Sequence, residues 1–242
     1  MRMRNPKDKD LVISNCDYFY EGFTNNNPIC LEIGMGKGKF ILEMALKYPN
    51  INFIGVEKYS SVASVAIKRI NEYKPSNLKI LIMDAINLGD ILEGKIDTIY
   101  LNFSDPWPKD RHAKRRLTSP NYLKSFDKLF KGKKHIIMKT DNDNLFAYSL
   151  ESFREYGYKI NKISYDLHSE SIDNVETEYE EKFSKNGIKI KYIDVEKDWY
   201  VPLFAKTNQF YIPFFAKIST IYVRKIAKTI YYTIKNYEGI VA

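Results

Sequence analysis

Ile29-Cys30-Leu31-Glu32-Ile33-Gly34-Met35-Gly36-Lys37-Gly38 is a short apolar run that ends in three glycines at alternate positions. The turn cluster Asn25-Asn26-Asn27-Pro28 precedes it, so the run predicts a buried strand over Ile29 to Ile33. Lys39 to Lys47, just beyond the glycines, has a helical pattern. Glycines between a strand and a helix allow a tight turn and let the backbone approach a ligand closely. The spacing is GxGxG. It is not the GxGxxG of dinucleotide sites, and the lysine pattern of a P-loop is missing.

The same alternation continues outward from this unit. Asn52 to Glu57 predicts a second strand, and Ser60 to Tyr73 an amphipathic helix with Val62, Val65, Ala66 and Ile70 on one stripe. Strands are expected at Lys79 to Met83, Thr98 to Asn102 and His135 to Thr140, with helices over Tyr122 to Leu129 and Leu145 to Glu155. After Gly157 the pattern changes, with strands at Lys159 to Tyr165 and Ile188 to Val195 around an acidic helix at Glu176 to Phe183. This order predicts an α/β fold: a doubly wound, mostly parallel, seven-stranded sheet of the Rossmann-like class in three α/β/α layers. Three segments are expected: a basic N-terminal arm over 1–27, the α/β domain over 28–201, and an aromatic, basic extension over 202–242. In the extension Phe214, Ile218, Ile221, Tyr222, Ile226 and Ile230 fall at helical spacing, interleaved with Lys217, Arg224, Lys225 and Lys228.

Three strand ends carry acids. Glu32 stands two residues before the first glycine, Glu57 closes the second strand nineteen residues after Gly38, and Asp84-Ala85 follows the third. A carboxylate at the glycine loop repels a pyrophosphate but suits a cationic ligand without phosphate. S-adenosylmethionine, with a sulfonium and an ammonium, is such a ligand. Glu57 is placed to accept from ribose hydroxyls and Asp84 from an adenine amino group. Any one of these acids alone reads equally well as a helix cap or a solvated loop acid. Together with Gly34, Gly36, Gly38 and Ala85 they predict a nucleoside-binding edge.

Composition sets the outer bounds. The 242 residues are 44% apolar and 28% charged, values typical of a soluble globular protein. No uncharged apolar run is long enough for a membrane span, and the basic start Met1-Arg2-Met3-Arg4 leads into no apolar segment of the secretory kind. Two cysteines and three scattered histidines predict neither a disulfide framework nor a metal site, so a cytoplasmic protein without metal is expected. The net charge of +8 favours a polyanionic partner only weakly.

Where that charge sits says more. The fourth strand runs into Asn102-Phe103-Ser104-Asp105-Pro106-Trp107-Pro108-Lys109-Asp110-Arg111-His112-Ala113-Lys114-Arg115-Arg116. In an open α/β sheet the fourth strand lies beside the first, so Asp105 should face the reactive end of the ligand. Pro106 and Pro108 remove backbone donors and stiffen the loop. The basic run that follows has the density of a phosphate-binding surface. A charge run is more often a solvated face, but its position directly after the presumed catalytic strand favours contact with nucleic acid.

These residues resemble the bacterial tRNA (guanine-N7)-methyltransferases. The matching stretches are Leu31 to Gly38, Asn102 to Leu117, Thr140-Asp141-Asn142 and Glu176-Thr177-Glu178-Tyr179-Glu180-Glu181-Lys182-Phe183, in the family's order. The resemblance covers roughly residues 1 to 200, and nothing in it extends beyond about Pro202. It implies transfer of a methyl group from S-adenosylmethionine to a guanine of the tRNA variable loop. It further implies that Glu32, Glu57, Asp84 and Asp105 contact the donor, with Asp105 also catalytic. Lys109, Asp141, Thr177, Glu178, Tyr179 and Glu180 would contact the substrate, and Arg111, His112, Lys114, Arg115 and Arg116 the RNA. The expected partner is tRNA, with no DNA and no membrane, and the enzyme is expected as a monomer or homodimer.

The chemistry fits that reading. Guanine N7 is an in-plane lone pair without a proton, so its methylation needs no general base. Asp141, Glu178 and Glu180 are candidate acceptors for the donors on guanine's Watson–Crick edge, and Trp107 or Tyr179 could stack on the base. A nicotinamide dehydrogenase would share the glycine loop and Glu57 but leaves Asp105 to Arg116 unexplained. An exocyclic-amine methyltransferase would carry proline where Trp107 stands. A non-catalytic RNA-binding module would not need the full set of acids.

Overall fold

A computed structural model of the chain describes residues 6–198. The 202–242 extension and the first five residues of the arm lie outside the described residues. The structure contains seven strands: β1 (Ile29–Ile33), β2 (Asn52–Glu57), β3 (Leu78–Ile82), β4 (Ile96–Asn102), β5 (Phe130–Thr140), β6 (Lys159–Ser164) and β7 (Lys191–Lys197). They form one sheet in the order β3-β2-β1-β4-β5-β7-β6. The first five are parallel, and β7 inserts antiparallel between β5 and β6.

Among the described residues seven α-helices accompany the sheet: α1 (Lys9–Ser14), α2 (Lys39–Lys47), α3 (Ser60–Tyr73), α4 (Gly89–Leu92), α5 (Pro120–Phe126), α6 (Asp143–Glu155) and α7 (Glu178–Ser184). Because side chains alternate along a strand, the sheet carries a separate core on each face. Leu31, Ile33, Ile99, Leu101, Ile136 and Met138 pack with Leu123 and Phe126 of α5 and Phe146 and Phe153 of α6. Cys30, Phe53, Leu78 and Ile80 pack on the opposite face with Phe40 and Ile41 of α2 and Ala66, Ile67 and Ile70 of α3. The α3 stripe differs slightly from the one expected. Ala63 and Ile67 are buried, whereas Val62 and Val65 are only half-buried.

The N-terminal stretch is more ordered than its polar sequence suggests. Its helix α1 packs on α3, and Asp8 pairs with Lys68 at 2.6 Å. Residues 18–20 then pair with β3: Ile80 N–H donates to the Tyr18 carbonyl at 2.8 Å and Tyr20 N–H to that of Ile80 at 3.1 Å. This covers an edge that would otherwise offer unpaired backbone groups. A turn at Ala85–Asn87 and the short α4, neither foreseen, link β3 to β4. Strand β5 also begins earlier than expected, at Phe130. Its charged start is accommodated by ion pairs of Lys133 with Glu196 and of Lys134 with Asp127.

Candidate active site

The acids expected to bind a ligand all meet at the carboxyl ends of β1 to β4. Two adjoining pockets of about 610 and 580 Å³ open there, sharing Gly34, Asn102 and Phe103 as a common wall. This is the crevice where ligands bind in open α/β sheets, at the point where strand order reverses.

The larger pocket lies between the glycine loop and α7, lined by Glu32, Phe40, Phe103, Thr177, Glu178 and Tyr179 among others. Glu32 and Asn102 form its floor from adjacent strands. Asn102 Nδ2 donates to Glu32 Oε1 at 2.9 Å, whereas Glu32 Oε2 and Asn102 Oδ1 are buried without a partner. Loss of solvation pushes the Glu32 carboxyl up to about 7, against the pull of Asn102 and the charge of Lys139. Two unsatisfied buried acceptors side by side are costly and call for a donor. A ligand ammonium, with three N–H groups and a positive charge, meets that need.

The second pocket is bounded by Glu57, Asp84, Ala85, Asp105, Trp107, Arg115 and Tyr122. Glu57 accepts from Gly36 N–H at 3.2 Å and Tyr59 N–H at 2.9 Å. A carboxylate has about four lone-pair sites, so acceptor capacity remains for a vicinal diol. Burial raises the Glu57 pKa, and the charge of Asp105 adds to the rise. Gly36 has φ 59°, which brings its N–H onto Glu57. Gly38 has φ 75°, and a Cβ there would come within 2.9 Å of Ala66 Cβ, so α2 and α3 can approach only over a glycine. Asp84 caps the next turn by accepting from Ile86 N–H at 3.2 Å, and the Lys58 ammonium at 2.6 Å lowers its pKa.

Asp105 is exposed at the mouth of this pocket. The loop around it has two non-glycine residues at positive φ, Phe103 at 49° and Trp107 at 42°. Beyond it Lys109, Arg111, Lys114 and Arg115 are exposed and His112 is half-buried. Arg115 lies over the Trp107 ring at 5.0 Å and His112 meets its edge, so Trp107 is held on the side of the second pocket.

Two of the expected contacts are corrected by their surroundings. Arg116, expected on RNA, is buried, and its guanidinium donates to the Pro106 and Trp107 carbonyls at 3.0 Å each. Glu180, expected to read a base, is wholly buried. Its carboxylate takes Lys139 Nζ at 2.5 Å and Asn174 Nδ2 at 2.6 Å, with His168 Nε2 at 3.2 Å. It also completes a reciprocal cap with Thr177 at the start of α7. Glu180 thus anchors the helix from inside, and its acceptors are filled by the protein. The Thr177-x-x-Glu180 spacing was a readable signal of this role.

Glu178 lines the larger pocket but is paired with Arg69 and, at 3.2 Å, with Lys37. Tyr179 stacks on Phe183 at 4.1 Å and lies 5.0 Å from Phe103; burial raises its pKa, and the charge of Asp141 nearby adds to the rise. Sequence reasoning missed Asn102 as a partner of Glu32, and it missed Lys139. Lys139, next to last in β5, has its Nζ bonded to Glu180, to Asn174 Oδ1 at 3.0 Å and to the Val175 carbonyl at 2.9 Å.

The sheet order, the glycine loop and the acid at each strand end define a class I methyltransferase. Among solved structures, the 16S rRNA methyltransferase KamB aligns with TM-score 0.55 at 14% identity over 81% of this chain and 95% of that one. A second, described as an antibiotic-related methyltransferase, aligns with TM-score 0.52 at 18% identity over 81% of this chain and 96% of the other. At such identities these similarities concern the fold alone. The profile of a family described as putative methyltransferase matches residues 26–193. The tRNA (guanine-N(7)-)-methyltransferase of Lachnoclostridium phytofermentans is 47% identical over 202 residues, covering 77% of this chain and 94% of its own length. That of Bacillus subtilis is 44% identical over 210 residues, covering 81% and 99%. The chain belongs to the tRNA (guanine-N7)-methyltransferase family.

Proposed function

We propose that this protein transfers a methyl group from S-adenosylmethionine to N7 of a guanine in the variable loop of tRNA. The observation that carries the donor side is the pair of unsatisfied buried acceptors, Glu32 Oε2 and Asn102 Oδ1, beside a pocket that ends in Glu57 and Asp84. Glu32 and Asn102 would hold the ammonium, Glu57 the ribose hydroxyls, and Asp84 with Ala85 the adenine edge. When bound, the donor supplies an electrophilic methyl on a sulfonium; the N7 lone pair forms the new bond and the S–C pair returns to sulfur.

What the chain contributes is placement. N7 carries no proton, so no residue need remove one. Holding the base in line with the methyl can supply much of the rate. Phe40, Phe103 and Tyr179 line the larger pocket and support entry of an unstacked purine there, on the far side of Asn102 from the nucleoside half. With Glu180 occupied, Asp141 and the α7 N-terminal turn would be left to read guanine, with Lys109 contacting the target nucleotide. Asp105, in the adjoining pocket across the shared wall of Asn102 and Phe103, would face the guanine ring as positive charge spreads onto it and would stabilise it electrostatically. Arg111, Lys114 and Arg115 face solvent and would take the RNA backbone, with His112 beside them.

The test is incubation of the purified protein with unmodified tRNA and labelled donor, with the product base mapped. N7-methylguanosine in the variable loop is expected. A product at an exocyclic amine, or methylation of DNA but not tRNA, rejects the reading. Asp105→Asn should lower kcat by about 10²- to 10³-fold with donor affinity retained. Full activity in that variant removes Asp105 from the chemistry.

A further inference from the structure

Asp105 enters the cleft from a loop that few backbone bonds can hold. Phe103 and Trp107 on either side of it both have positive φ, a conformation bulky residues keep only when their surroundings impose it. Pro106 and Pro108 contribute no N–H. The peptides after Asp105 must therefore be tied down mainly through carbonyl oxygens.

One side chain does so. The Arg116 Nε donates to the Pro106 carbonyl and Nη2 to that of Trp107, each at 3.0 Å. Arg116 is only 5% exposed, and its guanidinium lies 4.3 Å from the Tyr148 ring of α6. The residues after it are fastened to the same helix. Thr118 Oγ1 is 2.8 Å from Ser149 Oγ, and Ser152 Oγ donates to the Thr118 carbonyl at 2.6 Å. A continuous chain of contacts runs from α6 through Arg116 to the two residues that follow Asp105.

We propose that Arg116 is a positioning residue for methyl transfer, fixing the Asp105 carboxylate by clamping the Pro106 and Trp107 carbonyls from below. This rests on the function proposed above. The basic run then has two roles: Arg111, Lys114 and Arg115 face solvent and the RNA, while Arg116 turns inward. A planar fork can hold two carbonyls at once, which a lysine ammonium on a flexible stem does far less well.

The experiment compares wild type with Arg116→Ala, Arg116→Lys and Arg111→Ala, measuring kcat, donor Kd, and tRNA Kd as a function of salt. For Arg116→Ala we expect kcat to fall by about 10²-fold, the cost of a misplacement on the order of 1 Å. Donor Kd and the salt slope of tRNA binding should stay unchanged, and added guanidinium ion should restore part of kcat. Arg116→Lys should be intermediate in kcat. Arg111→Ala should show the opposite pattern, weaker tRNA binding with a slope shallower by about 0.7 to 0.9. An Arg116→Ala protein that matches Arg111→Ala, with kcat intact, overturns the proposal. If Arg116→Ala does not fold, Arg116→Lys decides: wild-type kcat there overturns it equally. If wild type makes no N7-methylguanosine, the functional reading fails by itself. The clamp is then judged by Trp107 emission in a Trp199→Phe background, where an unchanged spectrum in Arg116→Lys rejects it.

Discussion

The two halves of the cleft are held together in different ways. On the proposed donor side Glu32, Glu57 and Asp84 each lie at, or closely follow, the end of the strand that places them. Glu57 and Asp84 are oriented by the backbone N–H groups of Tyr59 and Ile86, two residues on in each case, and Glu57 also by that of Gly36 in the glycine loop. The acceptor side is assembled from segments far apart in the chain: the loop after β4, the end of β5, and residues 174–184. These are joined by charge. Lys139 binds Glu180, Lys39 reaches the Glu176 carbonyl and Glu181, and Glu178 pairs with Lys37 and Arg69. In the first half Glu32 keeps one oxygen without a partner and Glu57 accepts only from backbone N–H groups, while Asp84 is paired with Lys58. In the second, an acid is more often engaged in holding its own segment.

The largest effect should come from the buried ion pair. Lys139 is 2% exposed and all three of its N–H donors are used, on Glu180, Asn174 and Val175. Lys139→Met preserves volume but leaves Glu180 without its cation. Breaking a buried pair in this way costs roughly 3–5 kcal/mol. Thermal unfolding should fall accordingly, and hydrogen exchange should accelerate over 174–184. Adding Glu180→Gln should recover much of the loss, because it removes the uncompensated charge. If Lys139→Met leaves both stability and exchange as in wild type, the acceptor side does not depend on charge in the way argued here.

The same contrast explains what could be read from sequence. The spans predicted for β1, α2, β2 and α3 coincide with those observed, because each pairs a clear period with a turn signal at its end. The positions of Glu32, Glu57 and Asp84 were legible for the same reason, since a residue at the end of a recognisable strand has a known place. Glu176, Glu178, Glu180 and Glu181 look alike in sequence, and burial separates them. Glu180 points inward because α7 packs over Lys139, forty-one residues earlier. Nor does any local pattern tell Arg116 from Arg115. The difference is Tyr148, on a helix whose position only the folded sheet determines. The start of β5 was missed because Lys131-Gly132-Lys133-Lys134 reads as a loop until Asp127 and Glu196 are known to pair with it.

A middle-sized effect tests the donor half. With its pKa raised to about 7, Glu32 holds a proton more tightly in the folded protein than in the unfolded chain. The native state therefore binds more protons between roughly pH 4.5 and 7, and by linkage the ligand-free protein loses stability as pH rises through that window. An ammonium needs the ionised carboxylate, so donor affinity should move the other way. It should tighten by up to about tenfold per pH unit on approach to 7, with release of a proton on binding. Glu57, also raised by burial, adds a shallower trend of the same sign. Glu32→Gln should bind donor more weakly and flatten both profiles. Calorimetry in buffers of different ionisation enthalpy counts the proton, and identical proton release by wild type and Glu32→Gln would exclude Glu32 as its source.

The smallest effect separates two roles for Glu178. Its carboxylate is about one-third exposed and shared by Lys37 of the glycine loop and Arg69 of α3. If it serves mainly as a latch, Arg69→Gln removes one of its two ion pairs and Glu178→Gln removes both. A part-exposed pair of this kind contributes about 0.2–1 kcal/mol, which corresponds to no more than about a fivefold rise in the KM for tRNA. The effect should shrink at high salt. The double variant should then be no worse than Glu178→Gln alone, with a coupling energy equal in size to the Arg69→Gln effect. If Glu178 instead leaves the pair to accept from guanine, Glu178→Gln should cost far more than Arg69→Gln. Arg69→Gln should then lower KM by releasing the carboxylate, and the two effects should not cancel in the cycle. The geometry favours the latch, since one carboxylate bridging two cations from separate elements is held against both the donor loop and α3. A clearly larger loss in Glu178→Gln would return this acid to the guanine edge and make the acceptor half more like the donor half than its ion pairs suggest.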